Sequence, residues 1–577
     1  MIEASADIKK IERKYIPENL KVENWEVLEP YFKELLTRET NSKDDLEKWL
    51  ADMNELDAII NEDFSWRQIR MTCDTTDKRL EESFNFFCME IHPRIQPYAD
   101  ALNKKLVNSS FIKELDADKY FTYLRTVKKN IDLFREENIQ LQAELAVLQQ
   151  KYGVITGKMA VEVNGKEYTL QQAAKFLESH DRELREDVYK KINERRLLDK
   201  SELNDLFSTL IEKRQKVAEN AGFENYREYK FKELGRFDYT KEDCFRFHDS
   251  VLEHVLPLVN KIYVNKKNKL GLEDLRPWDV EAEPQGTKAL TPFETGSELL
   301  QKTIECFTEI RPFFGECLQQ MNAMKHLDLE SRQGKAPGGY NCPLAESGAP
   351  FIFMNAAGQM NDVTTMVHEG GHAVHSFLTH KLSLNAFKEY PMEIAEVASM
   401  AMELFSMDHW DVFFENKDDL RRAKEHQLER TITIFPWIAV IDKFQHWLYE
   451  NPTHTLEERT EQWMAILNRF SDTVIDYTGL EKYRENGWQK QLHLFEVPFY
   501  YIEYGIAQLG AIGMWMQYKK NPEQALDNYM KSLSLGGTKT LPELYNAAGL
   551  TFDFSSENIK ALMQFVNEEM EKIYEQP

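Results

Sequence analysis

A chain of 577 residues with 42% apolar and 29% charged residues can bury large cores, and its balance is that of a globular protein rather than a disordered or fibrous one. The length predicts more than one lobe. A formal charge of -25 at pH 7 sets the chain against nucleic acid, whose phosphates it would repel, and mildly favours basic or neutral ligands. The opening residues, MIEASADIKKIERKY, hold no apolar run of the signal-peptide kind. The most apolar later run, ITIFPWIAVI, is too short to cross a bilayer and contains Pro436, so no membrane association is expected. Cys73, Cys88, Cys244, Cys306, Cys317 and Cys342 are scattered with no Cys-x-x-Cys pair; they read as reduced core thiols in a cytoplasmic protein.

The first 200 residues or so read as a helical lobe. Ser42 followed by Asp45 resembles a capping box with Asp in place of Glu, and Leu46, Trp49, Leu50, Met53, Leu56 and Ile60 follow at helical spacing. A second apolar series running from Leu124 to Leu148 predicts one long helix with a plain packing face. One hairpin interrupts the helices: Met159, Val161 and Val163 alternate, the chain turns at Asn164-Gly165, and Tyr168 and Leu170 return. A charged run near 200 is the expected boundary, with 201–577 as a catalytic domain. Pro277, Pro284, Gly286 and Pro292 mark an irregular stretch from Gly271 to Ser297, and Phe351 to Asn355 reads as a short apolar strand.

That strand leads into NDVTTMVHEGGHAVHSFLTHKL, which carries His368, Glu369 and His372 as HEGGH. On a helix the two histidines lie one turn apart on one face, so both imidazoles reach one cation while Glu369 stands beside them. Two neutral imidazoles suit zinc and call for a third ligand. Gly370 and Gly371 each cost about 1 kcal/mol against Ala in mid-helix, which implies that another backbone or a ligand comes close. A second helix follows, PMEIAEVASMAMELF, with Glu393, Glu396 and Glu403 on one face among apolar residues; such acids are costly to bury unless a cation compensates them.

Together these residues resemble the zinc oligopeptidases of the thimet oligopeptidase and oligoendopeptidase F group, most closely oligoendopeptidase F. The family pattern His-Glu-x-Gly-His-x-x-His, then Glu-x-x-Ser-x-x-x-Glu, is met by His368, Glu369, Gly371, His372 and His375, then by Glu396, Ser399 and Glu403. The resemblance implies one zinc per chain on His368, His372 and Glu396, with Glu369 as catalytic base. Glu393 or Glu403 is left to hold a ligand histidine by its second nitrogen, and His375 is assigned to structure. It also implies a mainly α fold: a two-lobed helical ellipsoid with a deep central channel and a small sheet beside the zinc helix. Short unfolded peptides would enter such a channel and folded proteins would not. The Phe351 strand would offer a free edge to an extended peptide.

A His followed by several tyrosines stabilises the transition state in the resembled family, and here His493 precedes Tyr500, Tyr501 and Tyr504. The spacing departs from the thimet oligopeptidase pattern, since Pro498 occupies the position five residues after His493. Which tyrosine faces the metal is therefore open, with Tyr501 and Tyr504 ahead of Tyr500. Two other readings stand beside the endopeptidase. A helical metallocarboxypeptidase also uses HEGGH but carries His-Glu-Ser after it, where this chain has EIAEVASM. A catalytically silent peptide binder on the same scaffold would not need Glu369.

Overall fold

Local sequence signals account for the first elements of the computed structural model, which describes residues 5 to 575 apart from 9, 11, 333 and 337. Ser42 accepts the Asp45 N–H at 3.1 Å and starts the helix Lys43–Cys73. Asp45 turns its own carboxylate to the Asn41 N–H, so only half of the expected box forms. The stretch from Leu124 to Leu148 is not one helix: Ala117–Leu133 and Glu136–Gly157 are separated at Phe134 and Arg135. The Arg135 guanidinium donates to the carbonyls of Asp132 and Phe134, which the break leaves open, and to that of Ala221 at the end of the helix Lys200–Asn220.

The hairpin forms as β1 (Ala160–Val163) against β2 (Lys166–Thr169), antiparallel, with Val163 opposite Lys166. Asn164 and Gly165 take φ of 53° and 75°, the left-handed pair that a tight hairpin turn requires. Between Gly271 and Ser297 the chain makes a short 3-10 helical turn, Pro277–Asp279, a turn closed by Thr287 N–H on the Pro284 carbonyl and a bridge from Leu275 to Ile475 before the helix Gly296–Ile310 begins.

A second sheet borders the HEGGH helix. It contains β3 (Leu327–Glu330), β4 (Tyr340–Cys342) and β5 (Phe351–Ala356) in the order β3-β5-β4. β5 pairs parallel with β3 and antiparallel with β4. The Phe351 strand is thus central and has no free edge, contrary to the sequence expectation; its nearly continuous burial is what a two-sided strand needs. The edge nearest the HEGGH helix belongs to β4.

The remaining chain is mainly helical. Its apolar side chains gather in two large cores. The smaller contains residues from Ile16 to Val127 together with Leu384 and Phe387, and the larger runs from Leu133 to Ile573 with Ala6 and Ile8. The boundary expected near 200 lies inside the larger core, between the helices Arg182–Leu198 and Lys200–Asn220. A cavity of about 1770 Å³ opens between the parts, walled by residues such as Met53, Asp57, Tyr123, Lys129, Glu389 and Tyr390. The run ITIFPWIAVI lies within the helix Lys417–Glu450, which holds Pro436 inside it. Among the described residues no helix is long and apolar enough to cross a membrane, and all six cysteines are free.

Candidate metal centre

The helix Met360–Thr379 opens with the Asp362 carboxylate accepting the Ala357 and Gln359 N–H groups at 2.8 and 2.9 Å, which fixes its direction as it leaves the sheet. It then runs against the helix Met392–Ser406 at very short range. A Cβ on Gly371 would stand 2.7 Å from both the Ala398 carbonyl oxygen and the Ser399 Cα, and one on Gly370 would meet the Phe307 ring at 2.6 Å. Gly371 therefore lets the two helices touch backbone to side, and Gly370 makes room for Phe307 of the helix Gly296–Ile310.

That contact brings three donors together. A ring nitrogen of His368, a ring nitrogen of His372 and a carboxylate oxygen of Glu396 all lie within 4.8 Å of one another. His368 Nε2 is 3.4 Å, and His372 Nε2 3.7 Å, from Glu396 Oε2. The second nitrogen of His368 is held as well, with Nδ1 2.7 Å from Glu403 Oε1. Gln427 donates to Glu403 Oε2 at 2.6 Å and accepts from Thr364, so the chain of hydrogen bonds returns to the HEGGH helix. Of the two carboxylates open for this supporting role, Glu403 takes it, while Glu393 accepts from the Tyr239 hydroxyl at 2.7 Å. Nothing in the sequence around Gln427 or Tyr239 announces either contact, because both partners are remote in the chain.

The electrostatics suit a cation. Burial works to raise the Glu396 carboxyl, but His368 and His372 outweigh it and hold it at about 2. Burial opposes charge on His368, yet Glu396 and Glu403 together raise its pKa well above the ordinary value, so a proton there supplies positive charge between two carboxylates. His372 is pushed down to about 4 by burial, which keeps it neutral as a ligand must be. Glu369 is 6% exposed and is pushed up to about 7, by burial first and then by the neighbouring Glu396. Its backbone carbonyl accepts from Asn341 of β4 at 3.1 Å, which ties the sheet edge to the centre. His375 lies apart from the donors, fully buried and stacked on Tyr390 with ring centroids 3.6 Å apart.

The downstream cluster reaches the same place through an unusual turn. Phe499 has a φ of 66°, rare for a bulky residue, and is held there by Gln445, which accepts its N–H at 2.6 Å, and by Arg236, which donates to its carbonyl. The next residue, Tyr500, donates its hydroxyl to Glu396 Oε1 at 3.3 Å. The contact falls to Tyr500 rather than to Tyr501 or Tyr504, the two expected from the sequence. Tyr504 packs edge-on against Tyr500 at 5.2 Å. Tyr501 turns toward Trp437, and burial raises its hydroxyl to about 12. At the first turn of the helix Tyr501–Lys520, adjacent residues point 100° apart, and the strained turn decides which one faces the metal centre. His493 sits over this group, 4.8 Å from the Tyr501 ring, and burial lowers it to about 4. Gln491 donates to His493 Nδ1 at 2.6 Å, which leaves the proton of the neutral ring on Nε2.

The model of peptidase family M3 matches residues 175–564, and that of the peptidase M3 N-terminal domain matches 17–134.

The chain belongs to peptidase family M3.

It is a metallo-endopeptidase. An oligoendopeptidase F homolog of Borreliella burgdorferi is 23% identical, covering 96% of this chain and 93% of its own. The oligopeptidase PepF of Bacillus subtilis is 24% identical over 71% of this chain and 60% of its own. The structure of PZ peptidase A with an inhibitor superposes with a TM-score of 0.89 at 25% identity, covering 97% of this chain and 99% of its own. The M3 N-terminal domain match coincides closely with the smaller of the two cores.

Proposed function

We propose that this M3 peptidase is a zinc-dependent endopeptidase of the oligoendopeptidase F type, which cuts internal bonds of short, unfolded peptides in the cytoplasm. One catalytic zinc per chain is held by His368, His372 and Glu396. The observation that carries this reading is the convergence of those three donors within 4.8 Å, with Glu369 next to them on the same helix. Two imidazoles and one carboxylate fit zinc and leave a coordination position for the reaction. The bond from His368 to Glu403 supplies the second partner that ligating histidines need.

When bound, zinc supplies Lewis-acid polarisation of the scissile carbonyl and the attacking water. Glu369 accepts the water's proton and passes it to the leaving amine. Tyr500 leaves its 3.3 Å contact with Glu396 to donate to the oxyanion as charge develops, and His493, whose ring lies 6.1 Å from that of Tyr500, carries a second donor on Nε2. The exposed edge of β4, tied to Glu369 through Asn341, binds the peptide backbone in extended form and so takes the role first read into the Phe351 strand. All these residues fall in 201–577, which we assign as the catalytic domain; residues of 1–200 such as Met53, Asp57 and Tyr123 wall a cavity that reaches Tyr390, the ring on which His375 of the HEGGH helix stacks. The strongly acidic chain leaves no role for nucleic acid.

The test is a peptide-library digest followed by mass spectrometry, run on the parent and on Glu369→Gln. The parent is expected to give internal cleavages that chelation abolishes and zinc restores. Glu369→Gln is expected to keep the parent's zinc content and melting behaviour while losing nearly all hydrolysis. C-terminal trimming would assign a carboxypeptidase instead, and an active Gln variant would remove Glu369 from its role.

A further inference from the structure

We infer that the protein holds a second divalent metal ion of the zinc type, bound by Cys244, Asp442 and His446 in the core of the larger domain, with His248 fixing the carboxylate. The site shares no ligand with the catalytic centre. It is built from two helices that each contribute a pair of residues four apart. Lys241–Ser250 carries Cys244 and His248, and Lys417–Glu450 carries Asp442 and His446. Residues at that spacing lie one turn apart on one face, so two such helices in contact place four polar groups opposite one another.

Cys244 Sγ, a carboxylate oxygen of Asp442 and a ring nitrogen of His446 all lie within 4.8 Å of one another. His248 Nε2 is 2.8 Å from Asp442 Oδ2, the contact by which a neighbouring residue orients a ligating carboxylate. The four residues are between 0% and 2% exposed.

What points to a ligand is the state of the polar atoms. Asp442 Oδ1 and both ring nitrogens of His446 have no hydrogen-bond partner among the described residues. His446 Nε2 stands 3.3 Å from Asp442 Oδ2 without hydrogen-bond geometry. Buried polar groups are nearly always paired, and because the two nitrogens of an imidazole diverge, the orphaned atoms that one ion can satisfy are Asp442 Oδ1 and one nitrogen of His446. Water is a poor candidate for that space, because the His446 ring is enclosed by Phe231, Phe245 and Phe499 at 5.7, 4.8 and 5.4 Å between centroids.

A dication would engage Cys244, Asp442 and His446 together, whereas a proton on His446 would engage Asp442 alone. A thiolate and a carboxylate supply two negative charges that balance it, and the mixture of sulfur, imidazole and oxygen donors is the set zinc accepts. As the metal–sulfur bond forms, the Cys244 S–H bond breaks and its proton leaves to solvent. Burial alone would otherwise keep that thiol protonated. Of the nearby cations, Arg236 pairs with Glu503 at 3.0 Å. With every ligand buried, the ion enters as the domain folds and acts as a structural clamp between the two helices. Gln445, next to His446, is the residue that holds the strained Phe499 turn, so the clamp also steadies the support of Tyr500.

Cobalt substitution during expression tests the assignment, because the catalytic centre contains no sulfur ligand and only the second site can give a thiolate-to-cobalt charge-transfer band. The parent is expected to show that near-ultraviolet band and to contain about two metal ions per chain. In His368→Ala/His372→Ala the band is expected to persist with about one ion per chain, and in Cys244→Ser it is expected to vanish. A folded parent with one metal ion per chain and no such band would overturn the proposal and leave the cluster a metal-free polar network. That reading needs no variant, so a misfolded Cys244→Ser does not rescue the idea.

Discussion

Tyr500 is the residue whose role is most sharply testable, because its neighbours Tyr501 and Tyr504 provide controls of the same chemistry. Its hydroxyl touches a proposed zinc ligand, whereas the Tyr501 hydroxyl faces Trp437. A donor that bonds the oxyanion only in the transition state should affect kcat and kcat/KM alike and leave KM nearly unchanged. Tyr500→Phe is expected to lower kcat by about a hundred- to a thousandfold. Tyr501→Phe is expected to stay within about threefold of the parent, since no oxyanion contact is lost. Steady-state kinetics on an internally quenched peptide, with zinc content measured beside them, decide the matter. Equal losses in both variants would mean that the ring cluster acts through packing.

At this scale the sequence showed the candidate metal donors more fully than the groups packed around them. His368, Glu369 and His372 are visible because helical spacing alone brings them together, and Glu396 is visible through the following acidic helix. Tyr500, Gln427 and the facing pairs Cys244/His248 and Asp442/His446 depend on contacts between segments far apart in the chain. A four-residue spacing in one helix looks ordinary until the second helix is placed against it.

Among the elements, the two helices of the metal centre show how a costly local choice reports a tertiary contact. Gly370 and Gly371 weaken a helix in isolation, yet an added methyl at Gly371 would collide with the backbone of its neighbour. Backbone cannot move aside as a flexible side chain can. Gly371→Ala is therefore expected to destabilise the protein by about 1 to 3 kcal/mol and to weaken zinc retention, because it parts His372 from Glu396. Thermal melting and a chelator competition measure the two effects; an unchanged melting point with full zinc retention would contradict the close approach. The hairpin was legible for the opposite reason, as Asn164-Gly165 and the flanking alternation are wholly local. The break at Phe134 and Arg135 was not, because the carbonyls that Arg135 satisfies include that of Ala221. The place of β5 at the centre of its sheet was hidden in the same way, since neither partner strand is strongly patterned.

For the whole molecule, the segment between the two helices of the candidate metal centre is one of the places where the N-terminal core meets the rest of the chain. It sends Leu384 and Phe387 into the N-terminal core, where the Phe387 ring meets Tyr120 at 5.6 Å. Glu62, from that domain, accepts the N–H groups of Glu346 and Ser347 at 2.7 Å each, just ahead of β5. The N-terminal domain thus braces both the loop joining the two helices and the sheet beside them, while lining the cavity. Phe387→Ala is expected to cost about 3 to 5 kcal/mol, as for other fully buried phenylalanines. Calorimetry should show the loss in whichever transition melts the N-terminal core, and a change below about 1 kcal/mol would deny the loop its anchoring role.

The most direct test of the account is anomalous diffraction at the zinc edge from crystals of Glu369→Gln soaked with a short peptide. The expected map has a peak about 2.0 to 2.2 Å from His368 Nε2, His372 Nε2 and a carboxylate oxygen of Glu396. The peptide is expected in extended form along β4, with its scissile carbonyl within reach of the Tyr500 hydroxyl. A zinc-loaded crystal with no peak among those three side chains, or a peptide bound away from them, would contradict the account.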